Sequence, residues 1–394
     1  MRAVVVHLKY DVFGGAENFS FRIIEILQRR FEEVVVLHLG VSPLFSKIEA
    51  LTGIVLNPQR VRFQSVSIFM EPRVFVKLLP ALELFRLCFI RLMAGRFVRD
   101  DDLVVSTFGE FPFRNSRLIQ ALHIPIFVSD YESLLYCGIV MSRLRRLLQV
   151  GYVFLARSFI GLTKKSLAGD LLIVNSNWTA AQFRRHYPCA DIRVLHHGVD
   201  VSLDEASDAW VPFPHRANNF VLLGRITQAK RVELAIEIIE RVRSKGYMVG
   251  LIIVGSGTGE YFARVNALAA SRPWVTLYSN LARSELEALL VKQKWGIHCY
   301  QFEHYGLAPA EMQALGCLTF VHDSGGQREI VLDPKQRYVD SDDAVEKICG
   351  VLAAPDLQSS LIASAQKSIE QHRGSHFVRQ FEHIVDEMCC IGGS

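Results

Sequence analysis

The sequence predicts an α/β protein of two Rossmann-like, doubly wound domains facing a cleft. Three observations carry that expectation. Short apolar runs alternate with amphipathic helical stretches along the whole chain, the pattern of parallel sheets covered by helices. The chain has 394 residues, more than one hydrophobic core ordinarily serves. Between the two sets of strands, residues 201–219 are polar and irregular, with Pro212 and Pro214, and read as a linker.

In chain order, residues 3–7, 34–39, 103–106, 124–128 and 171–175 read as strands of a first domain, 1–200. Residues 220–223, 249–254, 274–277, 295–300 and 317–321 repeat the pattern in a second domain, 220–373. The remainder, 374–394, reads as a final amphipathic helix. Doubly wound domains bind ligands in the crevice at the carboxyl ends of their strands, so the loops there are where chemistry is sought.

Composition excludes several classes. Half the residues are hydrophobic and 21% charged, which is globular. The net charge of +4 is too mild to argue for nucleic acid. The longest stretch free of Asp, Glu, Lys and Arg, Gly246 to Gly259, is shorter than the about 20 residues a spanning helix needs. The first seven residues read as a β-strand rather than a signal peptide. Eight scattered cysteines include no CxxC pair, which fits a reducing, cytoplasmic location and not a zinc site.

Glu303 and Glu311 lie seven residues apart across a loop-to-helix junction that follows an apolar run. Pro309 suits a first helical turn, where its missing N–H has no partner to lose. Backbone N–H groups at such a helix start, here Gly306 and Leu307, favour an anionic ligand. Two carboxylates beside an anion site make sense for a ligand that also carries hydroxyls, as a nucleotide sugar does. After the first strand of the second half comes Gly224-Arg225-Ile226-Thr227-Gln228-Ala229-Lys230, a loop with two cations suited to phosphate oxygens. Gly14 and Gly15 separate the first strand from the first helix and would let backbone approach a phosphate closely. Gly325 and Gly326 sit in Asp323-Ser324-Gly325-Gly326-Gln327-Arg328-Glu329, and Gly255-Ser256-Gly257-Thr258-Gly259 is a second glycine-rich turn after a strand.

The Glu-x7-Glu arrangement resembles the signature of the retaining GT-B glycosyltransferases, family 4 in particular. The resemblance implies that Glu303 meets hydroxyls of a donor hexose and Glu311 the ribose. It implies that Arg225 and Lys230 hold the donor diphosphate and stabilise it as it leaves. Gly325 and Gly326 match the family's Ser-Gly-Gly-x-x-Glu loop, which shapes the donor pocket, and Gly14 and Gly15 a Gly-Gly loop opposite. His197-Gly198-Val199-Asp200 resembles an Asn-Gly-Val-Asp segment, with His197 in place of Asn. The stretch around His123 resembles that of members acting on polyprenol-linked acceptors, with Ala121 in place of an aromatic residue. There the histidine lies by the reacting sugar; a core histidine is the other reading. The final helix is expected to cross back onto the first domain.

The resemblance implies a nucleotide-diphosphate sugar as donor substrate, no further cofactor, no essential metal, and a glycan or polyprenol-linked acceptor. Asp100–Asp102 and Asp340–Asp343 formally match a metal-binding DxD motif but read better as solvated helix and strand caps. Arg73 to Arg99 and Gly138 to Lys165 are basic and apolar, which suits either an anionic membrane surface or packed helices with a solvated face. Nucleic acid is not an expected partner. The other functional classes are a nucleotide-sugar epimerase or phosphorylase of this architecture, and a non-catalytic scaffold or binding partner of a lipid-linked sugar.

Overall fold

The computed structural model describes residues 1–10, 14–66, 83–110, 112–113, 117–128, 143–201, 203, 206–279 and 281–390. The chain divides into two compact units: Met1–Leu134, Val140–Leu195 and Val378–Ser394 in the first, and His196–Phe377 in the second.

The first unit holds a seven-stranded sheet in the order β3-β2-β1-β4-β5-β6-β7, parallel throughout. Its strands are β1 Arg2–Lys9, β2 Glu33–Leu39, β3 Val61–Ser65, β4 Leu103–Ser106, β5 Leu118–Leu122, β6 Leu171–Val174 and β7 Asp191–Val194. β1 is buried on both faces, as its near-continuous Ala-Val-Val-Val run requires between two helical layers. The helices Gly15–Arg30, Glu83–Ala94, Arg143–Ile160 and Asn177–His186 cover the sheet, and Ser176 caps the last by accepting from Thr179 N–H. The helix Gly374–Cys390 begins in the second unit and runs into the first from Val378 onward. Phe381, Val385 and Met388 are buried along one face of it, while Asp386 and Glu387 pair with Arg30 and Arg193.

The second unit holds a six-stranded parallel sheet in the order β10-β9-β8-β11-β12-β13. Its strands are β8 Ala217–Leu223, β9 Gly250–Val254, β10 Val275–Tyr278, β11 Gln293–His298, β12 Leu318–His322 and β13 Arg337–Tyr338. Helices Val232–Ser244, Gly259–Ala270, Arg283–Leu290, Leu307–Ala314, Ser341–Leu352 and Pro355–Glu370 flank it. Asp340 does cap Ser341–Leu352, accepting from Asp343 N–H at 2.9 Å.

Four details differ from the sequence expectation. Residues 124–128 are irregular, and the strand is Leu118–Leu122 just before them. Pro125 has no N–H for a ladder, and the amides of Ile126 and Phe127 donate to the buried Glu110 carboxylate, each at 2.8 Å. β3, β7 and β13 went unread because edge strands are short and half polar: β7 alternates exposed and half-buried residues, and β13 has two residues. Residues read as a linker are built into the second unit. There Leu203 and Trp210 pack on the cluster of Val221, Leu290 and Met312. Arg216 is 5% exposed, donates to Leu315 O at 2.7 Å and lies 4.7 Å from the Trp210 ring centre. Asp102, expected to be solvated, is 1% exposed and takes two hydrogen bonds from Arg2, at 2.6 and 3.1 Å.

Among the described residues no single helix is long and apolar enough to cross a membrane. Residues 73–82 and 138–142 of the two basic stretches lie outside the described residues.

Candidate functional site

In the second unit β8 is flanked by β9 on one side and β11 on the other, so strand order reverses there. The loops leaving the carboxyl ends of β8 and β11 therefore flank a topological switch point, where open α/β sheets take their ligands. The β8 loop runs Gly224–Lys230. Gly224 has φ +139° and presses on the β9 loop so closely that a Cβ on Gly255 would stand 1.8 Å from Gly224 O. Ile226 N–H donates to Ser256 O at 2.7 Å, which ties the glycine-rich turn to the same site. The loop closes in a 3-10 turn, Gln228–Lys230, followed by Arg231 in the left-handed region at φ 51°.

Lys230 meets the β11 loop. Its Nζ is 2.6 Å from Glu303 Oε2 and 4.3 Å from the centre of the Tyr300 ring, so the ammonium has a carboxylate and an aromatic face around it. His298, at the end of β11 and 2% exposed, places Nε2 3.1 Å from the same Oε2. A carboxylate can only accept, so this nitrogen carries the proton. Burial opposes the charge on Glu303, but Lys230 and the His298 hydrogen bond outweigh it and hold the carboxyl well below its usual range. Oε1 makes no hydrogen bond to the described residues.

The loop is braced from behind. Phe302 adopts φ 55°, uncommon for a bulky residue, and its N–H donates to Ser324 Oγ at 2.8 Å. Gly326 N–H donates to Glu303 O at 2.7 Å. Gly325 has φ +73°, and a Cβ there would lie 2.3 Å from Glu303 O and 2.7 Å from Glu303 N, so only glycine fits. Gly325 and Gly326 thus act on the Glu303 backbone. Gly306, at φ 111°, caps the helix Leu307–Ala314, with Leu307 as its first residue and Pro309 within its first turn.

Glu311 on that helix accepts from Arg283 Nη1 at 2.6 Å. Arg283 also reaches Glu287 at 2.7 Å through Nε and Asp200 O at 2.8 Å through Nη2. Burial disfavours the guanidinium, but Glu311 and Glu287 reverse this and raise its pKa. Both signature carboxylates are thus held by a cation through one oxygen. Arg225 is different: it is exposed, and its side chain has no hydrogen bond or ion pair with the described residues. A cavity of about 920 Å³ in the same unit is lined by Val199, Asp200, Trp210, Arg216, Gln313 and Arg373, and by none of Arg225, Lys230, Glu303 and Glu311. Its Arg216 already donates to backbone carbonyls, and the candidate site taken here is the switch point.

Family models match both halves of the chain. Residues 13–203 match glycosyltransferase family 4, and residues 205–368 match glycosyl transferases group 1. The chain belongs to the family 4 glycosyltransferases. Two relatives carry the name GDP-Man:Man(3)GlcNAc(2)-PP-Dol alpha-1,2-mannosyltransferase. The one from Candida glabrata is 25% identical over 170 residues, 40% of this chain and 34% of that protein. The one from Xenopus laevis is 23% identical over 244 residues, 59% of this chain and 49% of that protein. The chain therefore spans between a third and half of the length of these curated relatives. Among solved structures, WaaG, a glycosyltransferase involved in lipopolysaccharide biosynthesis, superposes with a TM-score of 0.67 at 15% identity over the whole of both chains. A sucrose-phosphate synthase from Thermosynechococcus elongatus gives 0.72 at 14% identity, over 99% of this chain and 100% of that one. Both show the fold, GT-B with two Rossmann-like domains.

In the first unit of this glycosyltransferase, Gly14 N–H donates to Glu17 Oε2 at 2.9 Å, and Gly15 opens the first helix. His123 follows β5, half-buried, with its ring 5.0 Å from Phe19 of that helix in an edge-on contact. Two site residues escaped the sequence reading. His298 stands in an apolar strand and reads as core; Arg283 lies 28 residues before its partner Glu311, with no motif linking them.

The second unit also holds buried histidines. Burial pushes down the pKa of His298, His304 and His322, and that of His372 to about 4, with His196 adding to the effect on His372. In the unfolded chain these groups take protons near pH 6.5. The stability they contribute is therefore complete above about pH 6.5 and is lost as pH falls below it, for His372 down to about 4 at about 1.4 kcal/mol per pH unit. Glu303, depressed in the folded state, works in the same direction below its unfolded value. Trp210, Trp274 and Trp295 of the four tryptophans are in this unit, so tryptophan fluorescence reports its melting. The expected result is a melting temperature that falls steadily between pH 6.5 and 4.5; a flat profile would contradict the assigned protonation states.

Proposed function

We propose that the chain moves a hexose from a nucleotide-diphosphate sugar to a glycan or polyprenol-linked acceptor, with retained anomeric configuration and no essential metal. The observation that carries this is the Lys230–Glu303–His298 arrangement at the switch point, beside Glu311 held by Arg283. Glu303 Oε1 would accept from sugar hydroxyls while Oε2 stays saturated. Glu311 would take the ribose hydroxyls. Lys230 and the exposed Arg225 would hold the diphosphate and stabilise its charge as the bond to the sugar breaks. The acceptor oxygen forms the new bond to the anomeric carbon on the same face, the electron pair of the broken bond stays on the phosphate oxygen, and that oxygen takes the acceptor proton. Gly14 and Gly15 would bind the donor through backbone close to a phosphate, and His123 would lie by the reacting sugar. The names of the curated relatives make GDP-mannose the first donor to test.

A ligand that binds only the folded state raises the melting temperature by mass action. The test is a melting panel of GDP, UDP, ADP and their sugar conjugates, with and without magnesium, on wild type and Glu311→Ala. A shift selective for one base, independent of magnesium and weakened in Glu311→Ala, is the expected outcome. No shift with any nucleotide would move the weight to a non-catalytic scaffold. A shift that requires magnesium would overturn the metal-free part alone.

A further inference from the structure

The helices Arg283–Leu290 and Leu307–Ala314 contribute Leu290 and Met312 to one apolar cluster. That packing fixes Arg283, the first residue of one helix, against Glu311 in the second turn of the other.

Glu311 is only one of the acceptors of Arg283. Nε donates to Glu287 Oε1, one turn on, at 2.7 Å, and Nη2 donates to Asp200 O at 2.8 Å. The Glu287 side chain is 2% exposed, so it is a rigid anchor rather than a mobile surface charge, and a backbone carbonyl cannot swing away. Two contacts that do not involve Glu311 therefore set the guanidinium plane, and Nη1 then meets Glu311 Oε1 at 2.6 Å. Glu311 Oε2 makes no hydrogen bond to the described residues, and the side chain is 23% exposed.

A glutamate left to itself samples several conformers, and fixing one on binding costs affinity. With Oε1 clamped, that ordering is already done, and Oε2 presents its lone pairs in one direction. Charge points the same way. Without Arg283, Glu287 and Glu311 would leave two uncompensated carboxylates in the wall of a site for an anionic diphosphate; with it, one of those charges is cancelled.

We infer that Arg283 is a positioning residue that aims Glu311 Oε2 at the ribose hydroxyls, and that it sets a preference for ribonucleotides over nucleotides lacking those hydroxyls. This role rests on the donor reading above, in which Glu311 takes the ribose.

The test is calorimetric titration of the full chain with GDP, UDP and ADP and with their 2′,3′-dideoxy forms, which keep base and diphosphate and lack the hydroxyls. Wild type is expected to bind a ribonucleotide at least about tenfold tighter than its dideoxy form, the scale of a hydrogen bond to a charged group. In Arg283→Met both affinities are expected to drop, and the ratio to fall below about threefold. Arg283→Lys supplies a cation without the fork and is expected to recover affinity for the dideoxy form but not the ratio. An arginine with a merely structural role would lower both affinities alike and keep the ratio, a result that overturns the inference. Should Arg283→Met fail to fold because Glu287 is left buried without its partner, Arg283→Met with Glu287→Met removes both charges and gives the same readout. Ribonucleotide binding by wild type without discrimination overturns the inference and leaves a diphosphate site standing. No binding of any nucleotide overturns the donor reading itself, and this inference with it.

Discussion

Lys230→Met is expected to lower sugar transfer by about 10²–10³-fold, the scale seen when one preorganised group that stabilises transition-state charge is removed. The proposed role explains the size. As the bond to the sugar breaks, charge collects on the diphosphate, and Lys230 is the cation already fixed at the switch point. The substitution also leaves Glu303, 16% exposed, with His298 as its remaining side-chain partner, so the carboxyl pKa rises toward its ordinary range. Lys230→Arg is expected to rescue little. The ammonium fits between the Tyr300 ring at 4.3 Å and Glu303 Oε2 at 2.6 Å, and a planar guanidinium does not match that space. The measurement is nucleoside diphosphate release under steady-state conditions with the donor selected by the melting panel. Activity within threefold of wild type in Lys230→Met would remove Lys230 from the mechanism.

Glu110→Ala is expected to destabilise the first unit by roughly 3–5 kcal/mol, enough to abolish soluble expression of a marginally stable domain. Glu110 is fully buried and accepts from Ile126 N–H, Phe127 N–H and the Tyr187 hydroxyl, the last at 3.0 Å. Burial raises its pKa, against the pull of those hydrogen bonds. Alanine removes the acceptor for all three and leaves two amides of an irregular segment without a ladder to join. Glu110→Gln keeps one carbonyl acceptor and is expected to cost less than half as much. Urea unfolding followed at Trp178, the tryptophan of the first unit, checks both values. An alanine variant as stable as wild type would mean that water satisfies those amides.

The same segment shows where local pattern stops informing. Residues 124–128 are apolar and strand-like in composition, yet a carboxylate 16 residues earlier takes their amides. Asp102 reads as a solvated cap because its partner, Arg2, is 100 residues away. Trp210 and Arg216 sit in a proline-containing polar stretch, and packing against a helix about a hundred residues later makes that stretch part of a core.

The sequence by itself determined the two parallel-sheet domains, because strands buried on both faces must be continuous apolar runs and their crossovers must be amphipathic helices. It also marked the residues of the candidate site, because glycines at Gly224, Gly306 and Gly325 and the charges at Lys230, Glu303 and Glu311 come after strand ends in order. Only the tertiary structure decided which charges meet. Lys230 and Glu303 are 73 residues apart, and Arg283 and Glu311 are 28 apart. Each pair forms because adjacent strand and helix ends converge at the reversal of strand order, a property of topology that local residue patterns do not carry.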